Sequence, residues 1–183
     1  MTARLDRTRA RLRDAALDLF LAQGYDETTV DQIAAAAGVS QMTFFRHFPT
    51  KESAVMDDPY DPVIGELVAA QPKELGGLER TRRGLLLAWA QVAEAAEAPT
   101  RASIGLIANH DRLRGGFWAT MRATETVIVD ALVSTGTPRA EALVAAGACL
   151  GALTAVLLDW AVDDADADLG ARIDAALDLL ATS

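Results

Sequence analysis

Apolar residues recur at helical spacing along nearly the whole of this chain. Leu12, Ala16 and Phe20 form the first such stripe, and no segment shows the alternation of β-branched and polar residues that is typical of a strand. Alanine, which has the highest intrinsic helix propensity, supplies 37 of the 183 residues. The sequence therefore predicts an all-α fold, with a length that suits one compact domain or a small module followed by a larger one.

Helix-breaking and capping residues divide this pattern into short helices first and longer ones later. Gly24, Gly38 and Pro49 end the first three helices, and Thr50 caps a fourth that runs to Asp57. Further helices are predicted over residues 62–70, 78–97, 100–109, 116–133, 138–162 and 168–180, with breaks at Pro99 and at Gly115 and Gly116. We thus predict a helix-turn-helix module in residues 1–57 and a helical bundle in residues 58–183.

Charge is distributed unevenly between these two parts. The net charge is -9, which taken alone argues against a nucleic-acid partner. Residues 1–52 carry seven basic and seven acidic side chains, so residues 53–183, with ten basic and nineteen acidic, hold the entire excess. A neutral module whose first thirteen residues include five arginines is therefore able to bind phosphate while the acidic body stays away from it.

Cysteine and histidine content limits the redox and metal chemistry. Cys149 is the only cysteine, which excludes an intramolecular disulfide and a thiolate-rich metal site, as expected of a protein kept reduced in a cytoplasm. The only histidines are His47 and His110. The acidic run Asp163, Asp164, Asp166, Asp168 is similar to the opening of a calcium loop, but the sixth position from Asp164 is Leu169 and the twelfth is Ala175. We predict no metal and no cofactor, and a helix-capping turn at Asp168.

Neither a secretory signal nor a membrane span is expected. Basic residues at the start are not followed by an apolar stretch. Residues 142–158 are free of charge, but these 17 residues fall short of the about 20 that a spanning helix needs. The expected location is cytoplasmic.

The second and third helices have the dimensions of a helix-turn-helix. Thr29 and Gln32 form a capping box at the start of one helix, Gly38 ends it, and Ser40 caps the next. The third helix carries an outer polar face opposite Phe44 and Phe48. Spacing alone leaves two interpretations open: a DNA-reading helix, and a surface helical hairpin.

The segment LRDAALDLFLAQGYDETTVDQIAAAAGVSQMTFFRHFPTKE resembles the N-terminal signature of TetR-family transcriptional regulators. The shared pattern covers about residues 9–57: LF late in helix one, then TTV, IA, AGVS, an aromatic-x-HF and KE. This resemblance implies a ligand-responsive regulator, in most cases a repressor that binds a palindromic operator as a dimer and is released by a small effector. An activator of the same architecture and a helical small-molecule carrier without a DNA role are the alternatives. Because no nucleophile beside a base is visible, we predict no enzyme activity.

The resemblance assigns DNA contacts to nine residues. Gln41 and Met42 are expected to read base edges, through adenine N6 and N7 and a thymine methyl group. Phosphate contacts are expected for most of the others, with Arg46 reaching a base or a phosphate. Phe45 replaces the tyrosine of most relatives and His47 has a capping alternative, so either residue could serve only packing. The complete set is Thr29, Ser40, Gln41, Met42, Thr43, Phe45, Arg46, His47 and Lys51.

Dimerisation is expected through the last two helices, from Pro138 to Val162 and from Asp168 to Leu180. Gly147 and Gly151 lie on a small-residue stripe that allows close helix approach, with packing inside one chain as the alternative. An effector pocket is expected where polar and aromatic residues interrupt the aliphatic pattern, with a place in the core as the alternative for each residue. They are Trp89, Asn109, His110, Phe117, Trp118 and Met121. Arg112 and Arg114 beside Phe117 suggest an anionic effector with an apolar tail, such as an acyl-CoA or a fatty acid.

Overall fold

A computed structural model describes residues 2–56, 61–162 and 168–181, and within these residues every regular element is an α-helix. The all-α prediction is therefore confirmed. The helices, in chain order, are α1 Thr2–Gln23, α2 Val30–Ala36, α3 Gln41–His47, α4 Lys51–Val55, α5 Asp61–Ala69, α6 Gly77–Ala108, α7 Asp111–Ser134, α8 Arg139–Val162 and α9 Leu169–Asp178.

Helices α1 to α4 pack around one apolar cluster. Leu12, Ala16 and Phe20 of α1 are fully or almost fully buried, as their helical spacing predicts. They contact Ile33 of α2 and Phe44 of α3 among others. The same cluster continues into α6 and α7 through Ile104, Ile107, Leu113 and Phe117. The small module and the bundle thus share a core, and the predicted boundary after residue 57 lies outside the described residues.

Helices α5 to α9 surround a second apolar cluster. Leu85 of α6, Ile128 and Leu132 of α7, and Trp160 of α8 are buried there. Helix α8 is long and apolar enough to cross a membrane by length and composition, and 33% of its most apolar window is buried in the structure. It packs against α6, α7 and α9.

Two predicted helix breaks are wrong. Helix α6 continues through Pro99, where two separate helices were expected. An interior proline costs about 3 kcal/mol, but packing on both sides offsets it, because Leu85 is buried in one cluster and Ile107 in the other. Helix α7 begins at Asp111, before Gly115 and Gly116, so these glycines lie inside the helix.

Gly116 serves a close helix approach and does not break the helix. A Cβ at this position would lie 2.6 Å from Cε of Met56, the residue that ends α4. A glycine inside a helix costs up to about 1 kcal/mol relative to alanine, which local packing can offset. Asp168 caps α9, as predicted, by accepting a hydrogen bond from the Gly170 amide at 2.8 Å. Asp163, Asp164 and Asp166 lie outside the described residues.

Candidate nucleic-acid interface

The connection between α2 and α3 is a tight turn fixed by three kinds of contact. Gly38 has a φ of +65°, which strains any residue with a side chain, and its amide donates to the Ala35 carbonyl at 3.0 Å. The Val39 amide donates to the Ala34 carbonyl at 2.9 Å. From outside the turn, the Arg11 guanidinium on α1 donates a hydrogen bond to the Ala37 carbonyl. Arg11 therefore ties the helix-turn-helix to α1, a role that its place among other arginines did not reveal.

Helix α3 presents the predicted outer residues to solvent and buries its aromatic side. The Ser40 hydroxyl caps the helix by accepting from the Thr43 amide at 3.2 Å, and the two hydroxyls are 3.0 Å apart. Phe44 is completely buried, whereas Met42 is 83% exposed. Gln41 and Arg46 are also exposed. The first turn of α3 thus offers a glutamine amide and a thioether to a partner.

The Phe45 side chain is partly packed and partly exposed. Its ring meets Phe44 edge-on, with centroids 5.5 Å apart, yet 49% of the residue stays accessible. An exposed ring without a hydroxyl can contact the sugar or a thymine methyl, but it donates no hydrogen bond to phosphate.

His47 is half-buried at the end of α3. Its Nε2 is buried and has no hydrogen-bond partner among the described residues. Burial, followed by the charges of Arg46 and Arg9, lowers the pKa of His47 below its usual 6.5. The guanidinium of Arg9 donates to the His47 carbonyl at 3.3 Å and lies 4.9 Å from the centre of the Phe48 ring. The imidazole is therefore neutral at pH 7 and adjoins two cations.

Thr29 performs the capping role that its spacing predicts. Its hydroxyl accepts from the Gln32 amide at 3.2 Å, and the Gln32 side-chain oxygen accepts from the Thr29 amide at 2.8 Å. Thr29 remains exposed at the N-terminus of α2, where backbone N–H groups favour an anion.

Lys51 is held by the connection between α1 and α2. Its ammonium donates to the Tyr25 carbonyl at 2.7 Å and to the Thr28 carbonyl at 2.9 Å. It also lies 3.9 Å from the centre of the Tyr25 ring. Two of its three N–H donors are occupied in this way, which leaves one for a phosphate.

The six residues predicted for an effector pocket occupy several different environments. Trp89 packs against the α5–α9 cluster, whereas Phe117 and Met121 belong to the cluster shared with the α1–α4 module. Asn109 donates to the Gly105 carbonyl at 2.8 Å. His110 faces Asp26, and Trp118 is 63% exposed on α7. Only Phe117 and Met121 thus share one cluster.

A groove with a volume of about 450 Å³ lies on the outer side of α1 and α2. Its lining includes Arg11, Asp18, Leu19 and Ala36 and none of the six predicted effector residues. No group of three metal-binding side chains occurs among the residues that the structure describes.

An exposed apolar stripe follows α8 and continues on α9. Gly147 and Gly151 are exposed, and Val144 is 72% exposed beside them. A Cβ at Gly151 would meet no atom of the described residues within 4 Å. Leu179, which ends α9, is 88% exposed. The small-residue stripe predicted from the sequence therefore faces outward, so it does not mediate packing within the chain at Gly151.

Known proteins are similar to this chain in two ways: in sequence over the N-terminal module, and in fold over most of the chain. Residues 12–53 match the family model of bacterial regulatory proteins of the tetR family. Over 53 residues, 29% of the chain, the sequence is 57% identical to the HTH-type transcriptional regulator TcmR of Streptomyces glaucescens. That match spans 24% of TcmR, so the chain aligns with about a quarter of the length of the curated relatives that it matches.

Two solved structures share the fold over most of the chain. SmeT, the repressor of the Stenotrophomonas maltophilia multidrug efflux pump SmeDEF, is 20% identical with a TM-score of 0.62, covering 94% of this chain and 87% of SmeT. Thermus thermophilus FadR, a repressor solved with lauroyl-CoA, is 23% identical with a TM-score of 0.55, covering 94% and 92%. At these identities the likeness establishes the architecture of the bundle and leaves its ligand open.

Proposed function

Because this chain belongs to the TetR family of bacterial regulatory proteins through its N-terminal helix-turn-helix, we propose that it is an effector-responsive transcriptional repressor that binds a palindromic operator as a dimer. One observation carries the proposal. Helix α3 buries Phe44 and Phe48 in the core and leaves Gln41, Met42 and Arg46 exposed on a helix of the length that enters a major groove.

Base reading is assigned to the first turn of α3. The Gln41 amide can both donate to and accept from an adenine edge, and the Met42 side chain suits a thymine methyl group. Arg46, one turn later, reaches a guanine edge or a phosphate. These three residues are exposed in the free protein, so binding requires no unpacking of the module.

Positioning on the DNA backbone is assigned to the surrounding residues. Thr29 and Ser40 sit at the N-termini of α2 and α3, where the partial positive charge of a helix end favours phosphate. Thr43 and the remaining N–H of Lys51 supply further donors, while Phe45 and His47 cover the sugar–phosphate edge. Such contacts set register and do not specify sequence.

Dimerisation is assigned to the outward stripe of α8 and α9. One short recognition helix binds DNA weakly, and two copies related by a two-fold axis read two half-sites a helical turn or more apart. Val144, Gly147 and Gly151 allow another α8 to approach closely, and Leu179 supplies apolar area on α9.

The effector is assigned to the class of apolar or acyl-type molecules. The core of the bundle consists of aliphatic and aromatic side chains, and Thermus thermophilus FadR, which has the same architecture, was solved in complex with lauroyl-CoA. The predicted contacts are Trp89, Asn109, His110, Phe117, Trp118 and Met121, of which Phe117 and Met121 share one apolar cluster. Activation in place of repression and a carrier without a DNA role are the competing functions.

Selection of duplexes from a random DNA library, followed by fluorescence anisotropy with the enriched duplex, tests the proposal. We expect Gln41→Ala to weaken binding by about 5- to 150-fold for each half-site, since each bidentate base contact contributes about 1–3 kcal/mol. Gln91→Ala is the matched control, because Gln91 is an exposed glutamine on α6. Enrichment of no duplex would favour the carrier, and equal losses in the two variants would refute the assignment of base reading to α3.

A further inference from the structure

Beside the shared apolar core, a group of four residues links the corner between α6 and α7 to the DNA-binding module: Tyr25, Asp26, Lys51 and His110. His110 precedes α7 at the corner between α6 and α7, and its Nε2 is 3.2 Å from Oδ2 of Asp26 in the α1–α2 turn, residues 24–29. The imidazole also meets the Tyr25 ring edge-on, with centroids 4.7 Å apart. We call this group the Tyr25 joint.

Tyr25 is the centre of the joint. It is only 3% exposed, and its ring contacts Phe20 of α1 at 5.2 Å between centroids in addition to His110. The Lys51 ammonium lies 3.9 Å from the same ring and donates to the Tyr25 and Thr28 carbonyls. Lys51 is the first residue of α4, three positions after Phe48, the residue that ends α3. The path from the bundle corner to the end of the recognition helix thus passes through two side-chain contacts.

From these contacts we infer that His110 is a positioning residue for DNA binding, which clamps the α1–α2 turn to the α6–α7 corner and so fixes the recognition helix relative to the bundle. This inference rests on the proposed function and gives the effector response a physical route. A ligand that shifts the α6–α7 corner changes the His110–Asp26 contact, and the turn and α4 follow because Lys51 binds both.

Protonation of His110 changes the strength of the clamp. The imidazolium forms an ion pair with the Asp26 carboxylate, whereas the neutral ring keeps only a hydrogen bond. The other charged groups at the joint are Lys51 and Glu52 of α4, together with Arg112 of α7 near the Tyr25 hydroxyl. Asp111 is paired with Arg114.

DNA affinity as a function of pH tests the inference, with the duplex enriched by the wild-type protein as the probe. A module that is held in place binds DNA without first losing orientational freedom. When the pH falls from 8 to 6, the DNA affinity of the wild type should therefore rise about two- to fivefold more than the DNA affinity of His110→Asn does. Asparagine keeps a donor for Asp26 but does not titrate. Because His47 is present in both proteins, its own titration cancels in the comparison.

A second variant and a second readout keep the test decisive. Asp26→Asn changes an exposed carboxylate and is expected to remove the same pH dependence as His110→Asn. Amide hydrogen exchange at residues 24–29 needs no DNA, and at pH 6 it should be slower in the wild type than in His110→Asn, relative to α8. Identical pH profiles together with identical exchange would overturn the clamp. Failure to enrich any duplex would refute the proposed function and leave the exchange result to decide on the clamp.

Discussion

Replacement of Lys51 by methionine tests two roles of the lysine ammonium, one in stability and one in DNA binding. As a staple, Lys51 ties α4 to the α1–α2 turn through the carbonyls of Tyr25 and Thr28. As a DNA ligand, it contributes one positive charge to the phosphate backbone. Methionine keeps the length and the apolar stem of the side chain and removes the ammonium, so it eliminates both roles at once.

The expected loss of stability follows from the contacts. Hydrogen bonds to a charged group contribute about 1.5–3 kcal/mol each, and the ammonium over the Tyr25 ring adds about 0.5–2 kcal/mol. Desolvation of the half-buried ammonium offsets part of this sum, which leaves a net cost of about 2–4 kcal/mol. For a domain of this size that corresponds to a fall in Tm of about 4–16 °C.

Thermal unfolding and salt-dependent DNA binding report on the two roles separately. Loss of the staple lowers the Tm. Loss of the phosphate contact makes the slope of log K against log salt smaller by about 0.9 for each bound copy, measured on protein that is still folded. Lys73→Met is the control, since the other lysine is exposed between α5 and α6. An unchanged Tm with a reduced slope would refute the staple.

Three further perturbations have definite expected outcomes. Gly84→Ala should lower the free energy of unfolding by about 1–3 kcal/mol in chemical denaturation, because the new Cβ would lie 2.4 Å from Cγ2 of Val68. Gly115→Ala is the control: its new Cβ has open space around it, so this change should raise the free energy of unfolding by up to about 1 kcal/mol. His47 has a lowered pKa, so the unfolded chain binds more protons near pH 6; stability should therefore fall as the pH drops through about 6.5, and this component should be absent from the denaturation profile of His47→Asn. Gly151→Leu should convert a dimer to a monomer in analytical ultracentrifugation without loss of helical circular dichroism, and an intact dimer would exclude close α8 packing.

The sequence alone determined the elements whose causes are local. Helical spacing of Leu12, Ala16 and Phe20 reflects the 3.6-residue period, which is the same in any helix with one buried face. The caps at Thr29 and Ser40 depend on residues only three positions apart, so the start of α2 and of α3 could be predicted. The family signature in residues 12–53 has the same local character.

Only the tertiary structure decided where distant segments meet. Pro99 and Gly116 both weaken a helix locally, yet the helices continue because packing against other elements outweighs a cost of a few kcal/mol. The sequence predicts His110 as an effector contact because a polar side chain in an aliphatic region has no local explanation, but it does not reveal the contact with Asp26. Its partner Asp26 lies 84 positions away, and no periodicity in a sequence encodes that distance. Contacts of this kind arise from how helices pack, which depends on the whole core at once.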